Sequence, residues 1–278
     1  MVPEIPEGNL QSNIERFTGF ADVYDSYRPE APEMVVEILT RYLERRPAFV
    51  IDLGCGTGLS TLIWNGHAER ILGVEPNGDM RSKAISKLQH LPEGAQDHIS
   101  FVSGYSNQLE VESASVDIIT CSQSFHWMEP VSTLQEAQRV LREGGVFAAY
   151  DCDWPPTLSW PLEQQYMKLY HKCDEILERE VAKESQALKR NKDEHLLHLQ
   201  KSGVFRYTRE VVFHHREQCD AERYVGLMLS QGGLQSVLKL GKTELNEDLA
   251  AFRRSAEQYF NSETKQILLS YRMRLGIK

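Results

Sequence analysis

A glycine-rich turn in the first third of the chain constrains its fold more than any other feature. The apolar run 49–51 is followed by Asp52, and then by three glycines within five positions, Gly54, Gly56 and Gly58. An apolar run that ends at clustered glycines is typical of a buried strand that turns sharply into a helix. Glycine also tolerates positive φ and lets a ligand lie against the backbone. The stretch therefore predicts a strand, a tight turn and a helix around a bound ligand.

A second acidic residue narrows the kind of ligand. Glu75 ends the apolar run 71–74, at the distance where a second parallel strand presents a carboxylate to a ribose. A dinucleotide site would need a third glycine where this chain has Leu59, and the charge of Asp52 would repel a pyrophosphate. An acidic entrance instead suits a cofactor that lacks phosphate and carries an ammonium and a sulfonium. S-adenosylmethionine has these properties.

Apolar runs alternate with helical patterns along the chain, which predicts a parallel sheet covered by helices on both faces. Strands are predicted over 49–53, 71–75, 99–103, 116–121 and 146–150, with helices near 60–65, 80–88 and 131–145. Beyond residue 160 the chain becomes charged and helical to about 199. A strand over 205–213, helices over 221–229 and 246–260, and a half-buried strand over 269–275 complete the prediction.

Three separated motifs resemble those of the class I S-adenosylmethionine-dependent methyltransferases. They are D-L-G-C-G-T-G at 52–58, V-E-P-N-G-D-M at 74–80 and E-A-x-R-V-L-R-E-G-G at 136–145. Within that class the chain resembles the type 11 methyltransferases. The segment A-D-V-Y-D-S-Y-R-P-E-A-P at 21–32 and S-F-H-W-M at 124–128 are more loosely similar to trans-aconitate-type small-molecule methyltransferases. The resemblance implies an α/β, Rossmann-like, seven-stranded and mainly parallel sheet with a terminal antiparallel hairpin and helical inserts that form a lid.

The same resemblance implies a single methyltransferase domain over residues 1–278. Its expected parts are a cofactor-covering segment 1–47, a cofactor-binding core 48–155, helical inserts 156–200 and 218–262, and closing strands 203–216 and 265–277.

Ligands of open α/β sheets bind beyond the carboxyl ends of the strands, which brings the informative residues into one crevice. We expect the glycines to face the methionine part of the cofactor, Asp52 to meet its ammonium directly or through water, and Glu75 to accept both ribose hydroxyls. The expected cofactor contacts are Tyr24, Arg28, Asp52, Gly54, Cys55, Gly56, Gly58, Glu75, Pro76, Met80, Tyr105, Ser106, Ser122 and Gln123.

The acceptor side follows from the resemblance, which places the end of the fourth strand beside the transferable methyl. His126 is the candidate general base, and the alternatives are an orienting role or a structural one. Phe125, His126, Trp127 and Trp154 are the expected substrate contacts, and Trp160 is expected to join Trp154 in an apolar wall.

The composition limits the partners and the cellular compartment that can be expected. A net charge of −9 and a pI near 5.5 give no general attraction to phosphate backbones, so no nucleic acid is expected. The sequence has no apolar stretch of membrane-spanning length and no signal-peptide pattern, so a cytoplasmic protein is expected. The five cysteines form no C-x-x-C pair, and His214 and His215 lack partners at ligand spacing, so no metal is predicted.

The sequence therefore predicts an enzyme that moves a methyl group from S-adenosylmethionine to a small-molecule acceptor by in-line displacement. A noncatalytic S-adenosylmethionine-binding protein and a methyltransferase acting on protein or RNA remain alternatives. A nucleotide-dependent oxidoreductase is disfavoured by Leu59 and Asp52. The oligomeric state is left open.

Overall fold

The computed structural model describes residues 5–92, 94 and 96–278. The strands are β1 (Phe49–Leu53), β2 (Arg70–Val74), β3 (Ile99–Val102), β4 (Val116–Ser122), β5 (Leu141–Thr157), β6 (Tyr207–Cys219) and β7 (Lys265–Ile277). They form one seven-stranded sheet in the order β3-β2-β1-β4-β5-β7-β6.

The α-helices are α1 (Gln11–Glu15), α2 (Ala21–Tyr27), α3 (Met34–Leu43), α4 (Gly78–Leu88), α5 (Pro130–Val140), α6 (Trp160–Glu180), α7 (His195–Lys201), α8 (Ala221–Leu229), α9 (Gly232–Lys239) and α10 (Asn246–Phe260). Short 3-10 turns occupy Leu62–Trp64, Phe125–Trp127, Lys183–Ser185 and Lys192–Glu194.

The parallel part of the sheet explains why its strands read as continuous apolar runs. Strand β1 pairs in parallel with β2 on one side and with β4 on the other, and every residue of β1 is buried. A parallel strand with helices on both faces has no solvent side, so apolar residues occupy successive positions. Because these strands share a direction, the carboxyl ends of β1, β2 and β4 meet at one edge of the sheet.

The other end of the sheet is antiparallel. Strand β7 pairs antiparallel with β5 on one side and with β6 on the other. This arrangement confirms the predicted fold class, a mainly parallel sheet with a terminal antiparallel hairpin.

Several element boundaries differ from the sequence prediction. The helix predicted over 60–65 is only the 3-10 turn Leu62–Trp64, which ends before Gly66 at φ +78°. The helix predicted to reach residue 145 ends at Val140, because Leu141 pairs with Val116 in the sheet and starts β5. Helix α9 was not predicted, since its two leading glycines resemble a loop in sequence.

The helices of the second half of the chain pack on one another beside the sheet. Helix α6 contacts α9, α10 and β5, and α8 contacts α9, α10 and the N-terminal helix α2.

Two asparagines hold helix α1 above the sheet edge. Asn13 donates from Nδ2 to the carbonyls of Trp127 and Leu188, and its Oδ1 accepts from the Leu188 amide. From the other side, Asn77 donates to the Ile14 carbonyl at 2.9 Å. The N-terminal segment is thereby positioned over the carboxyl ends of the strands.

Among the described residues, none of the helices is both long and apolar enough to cross a membrane.

Candidate active site

The three glycines of the turn after β1 are needed for different structural reasons. All three have positive φ, +64° at Gly54, +55° at Gly56 and +83° at Gly58. A Cβ at Gly54 would lie 2.7 Å from the Ser124 Cβ, and one at Gly58 would lie 2.9 Å from the Phe101 ring. A Cβ at Gly56 would meet no atom within 4 Å. Gly54 and Gly58 therefore permit packing, whereas Gly56 exposes its backbone to open space in which a ligand fits.

Glu75 lies directly after β2 and faces this turn. Its Oε2 accepts a hydrogen bond from the Gly56 amide at 2.9 Å, and its Oε1 accepts one from the Asn77 amide at 2.8 Å. Burial raises the pKa of Glu75 to about 7 in spite of these bonds. A carboxylate offers about four acceptor positions, so two remain for further donors such as ribose hydroxyls.

Asp52 lies behind the turn and not on a pocket wall. Its carboxylate is completely buried and accepts hydrogen bonds from the hydroxyls of Ser60, Thr61 and Thr120, at 2.6, 2.7 and 2.8 Å. Because three protein hydroxyls surround the carboxylate, the structure does not favour a direct contact with a cofactor ammonium, and a contact through water stays a prediction. Asp52 is linked to ligand space through its hydrogen bond from Ser60, which lines the smaller of the two pockets described next.

Two contiguous pockets lie at the carboxyl ends of the strands. The larger one, called the nucleoside pocket here, is lined by Asn9, Leu10, Asn13, Ile14, Phe17, Tyr24, Gly54, Gly56, Val74, Glu75, Pro76, Met80, Gly104, Tyr105, Ser106, Ser122, Gln123, Ser124, Trp127 and Met128. The smaller one, called the arginine pocket, shares Tyr24, Gly54, Gly56, Ser122 and Gln123 with it and adds Arg28, Pro29, Ala31, Cys55, Thr57, Leu59, Ser60 and Tyr271.

The structure brings most of the sequence-predicted cofactor residues together on these two walls. Asp52 and Gly58 are the two that line neither pocket. The sequence analysis missed the contribution of α1, whose Asn13 and Ile14 form part of the nucleoside pocket. The aromatic N-terminal segment was the available signal, since its Phe17 lines the same wall.

Arg28 has an unused donor. Its Nη2 donates to the Ser230 carbonyl at 3.1 Å and to Gln231 Oε1 at 2.9 Å, while its cation lies 4.6 Å from the Trp154 ring centroid. Its Nε is buried and has no acceptor among the described residues. A buried donor without a partner is costly, so the arginine pocket fits a ligand that brings a carboxylate.

His126 is enclosed by protein in the folded chain. Its ring is 4 % exposed, lines neither pocket, and has Nδ1 at 3.5 Å from Asp151 Oδ1. Burial lowers the pKa of His126 to about 3. A general base works best with a pKa near the operating pH and within reach of the acceptor. The prediction of His126 as a catalytic base is therefore corrected: the residue lies buried in the 3-10 turn after β4, beside Asp151 of β5.

His126 belongs to a buried cluster that has the donor set of a metal site. His126, Asp151 and His195 each offer an atom within 4.8 Å of the others. The Lys192 ammonium lies 2.8 Å from Asp151 Oδ1, and the Arg274 guanidinium lies 3.7 Å from Oδ2. Although burial acts to raise it, the pKa of Asp151 is held well below its ordinary value by Lys192 and the two histidines. Two cations already compensate this carboxylate, so a divalent ion would have to displace Lys192. The absence of a metal stays a prediction.

Of the remaining predicted substrate contacts, Phe125 lies in the core and Trp127 lines a pocket. Phe125 packs against Phe147 with ring centroids 5.4 Å apart and lines neither pocket, so its predicted substrate contact is corrected to core packing. Trp127 lines the nucleoside pocket and also a third cavity farther out.

The two later tryptophans also differ from each other. Trp154 donates from Nε1 to Gln123 Oε1 at 3.1 Å, and its ring is stacked on Tyr166. It supports Gln123 and Arg28 from behind, outside both pocket walls. Trp160 is 75 % exposed, so its predicted place in an apolar wall is wrong.

Comparisons with known proteins agree with this geometry. A family model described as a methyltransferase domain matches residues 51–149. The Saccharomyces cerevisiae protein named "Probable S-adenosylmethionine-dependent methyltransferase CRG1" is 23% identical over 150 residues, which are 54% of this chain and 50% of that protein. The match thus spans about half the length of this curated relative.

Solved structures share the fold over most of the chain. Phosphoethanolamine N-methyltransferase 2 of Haemonchus contortus, in complex with S-adenosyl-L-methionine, superposes with a TM-score of 0.57 at 15% identity, covering 99% of this chain and 61% of that one. The YcgJ protein of Bacillus subtilis gives a TM-score of 0.55 at 18% identity, covering 89% and 99%. Residues 51–149 therefore match a methyltransferase domain, and the chain shares its fold with these solved structures.

Proposed function

We propose that this protein transfers the methyl group of S-adenosylmethionine to a small-molecule acceptor. The observation that carries the proposal is the pairing of Glu75 with Gly56 at the carboxyl ends of the strands. A buried carboxylate with two free acceptor positions faces a backbone that borders open space. A nucleoside fits this pairing if its ribose lies at Glu75 and the chain attached to it passes along Gly56.

The proposed roles follow from the two pockets. Glu75 accepts from the ribose hydroxyls, and Gly56 lets the cofactor chain pass against the backbone. Arg28, through its free Nε, binds the methionine carboxylate, with Tyr24 beside it. Pro76, Met80, Tyr105 and Ser106 form the adenine end of the nucleoside pocket, with Ser122, Gln123 and Cys55 along the walls.

The chemistry requires positioning more than proton transfer. When bound, S-adenosylmethionine supplies an electrophilic methyl whose bond to sulfur breaks as the bond to the acceptor atom forms, and the leaving electron pair stays on sulfur in S-adenosylhomocysteine. Holding the two reactants in line is worth about 7–11 kcal/mol. The protein can thus act without the general base that His126 does not provide.

A small acceptor is favoured by the cavity that adjoins the nucleoside pocket. This cavity, called the outer pocket here, has a volume of about 910 Å³ and shares Leu10 and Trp127 with the nucleoside pocket. Its walls come from α1, α6, the 184–189 segment and α9. In this proposal residues 1–47 and the inserts 156–200 and 218–262 cover the site of one domain spanning 1–278. A volume of this size suits a metabolite-sized ligand.

Calorimetric titration with S-adenosylhomocysteine tests the cofactor part of the proposal. We expect saturable binding with one site per chain. Purified, folded protein that is free of copurified nucleoside and releases no heat would contradict it.

The acceptor part needs a separate measurement. The protein is incubated with methyl-labelled S-adenosylmethionine and a cell extract separated into metabolites, proteins and RNA. We expect label in the metabolite fraction. Label confined to protein or RNA would assign the acceptor to those classes, and binding without any transfer would indicate a noncatalytic S-adenosylmethionine-binding protein.

The affinity for the cofactor is expected to rise with pH. Free Glu75 has a pKa near 7, whereas ribose donors stabilise its carboxylate and lower the pKa in the complex. Binding then releases a proton below that pKa, so S-adenosylhomocysteine should bind about tenfold more tightly at about pH 8 than at about pH 6. Calorimetry in buffers of different ionisation heats measures both the affinity and the proton release. An affinity that is constant or falls over this range contradicts the role of Glu75.

A further inference from the structure

Strand β6 forms one edge of the sheet over 13 residues and pairs only with β7. In an antiparallel pair, about every second residue directs its amide and carbonyl away from the neighbouring strand. Within residues 5–92, 94 and 96–278, no backbone group of Tyr207–Cys219 makes a hydrogen bond on that outer side. The opposite edge strand, β3, has only 4 residues, so β6 is the edge that is long enough to accept a further strand.

The middle of β6 also exposes apolar surface. Val212 is 51 % exposed there. The neighbouring Phe213 is buried, and its ring is stacked on Tyr271 of β7 with ring centroids 5.3 Å apart. Soluble proteins usually cover or shorten an edge strand of this kind, because its free backbone groups and apolar side chains can pair with another chain. A further strand beside β6 would cover Val212 and place another side chain next to Phe213.

Four charged residues of β6 are arranged symmetrically about Phe213. Arg209 and Glu217 lie at equal distances before and after it, and so do Glu210 and Arg216. In an antiparallel pair of two β6 strands centred on Phe213, Arg209 of each copy lies opposite Glu217 of the other. Glu210 of each copy likewise lies opposite Arg216. Opposite charges directly across such a pair stabilise it, and like charges destabilise it.

Neighbouring registers lack this match. Residues that face each other across two strands must lie on the same face of the sheet, so the next possible centres of a symmetric pair are Val212 and His214. With either of these at the centre, neither Arg209 nor Arg216 lies opposite a glutamate. The charge pattern of β6 therefore selects the register that is centred on Phe213.

The charged groups of β6 are available for a second copy. Glu210 Oε2 accepts from Arg274 Nε at 2.8 Å, and Glu217 Oε2 accepts from Arg223. In the described part of the chain, the Oε1 atom of each glutamate accepts no hydrogen bond, so each can accept one from another guanidinium. Arg216 is exposed, and it forms no ion pair with any described residue.

We propose that two copies of this chain form a dimer with twofold symmetry, in which their β6 strands pair antiparallel and Phe213 lies opposite the same residue of the second copy. The two seven-stranded sheets then form one continuous sheet. Arg–Glu pairs on both faces of this sheet fix the register. The partner at this edge is a second copy because the charge pattern is complementary to itself, as a twofold interface requires.

Sedimentation velocity of the full chain over a wide concentration range tests the association. We expect a species with twice the 31.9 kDa mass of one chain. Arg216→Glu places a glutamate opposite Glu210 at both symmetric positions, so the dissociation constant of the dimer should rise at least about tenfold. Arg254→Glu makes the same change at an exposed position of α10 and should leave the dimer unchanged. A protein that is monomeric at every concentration, or a dimer that Arg216→Glu does not weaken, overturns the proposal.

A distance measurement tests the register. The five native cysteines are buried, so a nitroxide label can be attached selectively at the exposed position of Gln218→Cys. With Phe213 on the twofold axis, the two labelled positions are about 34 Å apart along the strands. Centres at Val212 or His214 would give about 41 Å or about 27 Å. Double electron–electron resonance should give the first of these distances, and either of the other two contradicts the proposed pairing.

Discussion

Glu75→Gln is expected to weaken binding of S-adenosylhomocysteine by at least about 100-fold, or about 2.7 kcal/mol. The carboxylate accepts from the amides of Gly56 and Asn77, and hydrogen bonds to a charged acceptor contribute about 1.5–3 kcal/mol each. In the glutamine variant the side-chain NH₂ group would face one of these N–H donors. The turn would then be disturbed, and one of the two oxygens that accept from the ribose hydroxyls would be lost. Calorimetric titration measures the loss.

The same variant should also abolish the rise of affinity with pH, because it removes the titrating group. Glu110→Gln makes the same chemical change at an exposed position and should bind like the unaltered protein. A Glu75→Gln protein that keeps its folded state by circular dichroism and binds with unchanged affinity would refute the cofactor site.

Gly56→Ala is expected to weaken cofactor binding by about 1–3 kcal/mol, which corresponds to about 5- to 150-fold in affinity. The added Cβ meets no protein atom within 4 Å, so it projects into the space that the cofactor would use. Because φ is +55°, the substitution also strains the backbone. Binding and thermal unfolding must therefore be measured on the same protein.

Two other glycines separate these effects. Gly66 has φ +78° and open space around its Cβ position, so Gly66→Ala should reproduce the strain without a loss of affinity. Gly58→Ala places its Cβ 2.9 Å from the Phe101 ring and should mainly lower the unfolding temperature. If Gly56→Ala and Gly66→Ala lost the same stability and bound equally well, the space beside Gly56 would not be the cofactor path.

Local sequence patterns were sufficient to predict the elements that carry the proposed cofactor site. The bounds predicted for β1 are those observed, because an apolar run followed by glycines defines a buried strand and its turn within a few residues. The place of Glu75 could also be predicted, because it directly follows the apolar run of β2. Since β1 and β2 are parallel neighbours, their carboxyl ends meet at one edge of the sheet. The C-terminal strand could likewise be predicted from its alternating residues.

Side-chain direction was not predictable in this way. His126 and Asp52 both occupy strand-end positions that suggest contact with ligand. In the folded chain His126 meets Asp151 of β5, and Asp52 meets three hydroxyls from the turn and β4. These partners are distant in sequence, so only their arrangement in space shows that both groups are enclosed by protein.

Sequence periodicity and glycine spacing alone predict the parallel strands, the turn and the place of Glu75 after β2, since each depends on a short stretch of chain. The acceptor side depends on contacts between segments far apart in the chain. Arg16 lies between Trp127 and Gly232, and α9 forms where its own glycines would favour a loop. Packing of α9 against α6 offsets that weak local preference, so only the tertiary structure brings Gly232 beside Arg16.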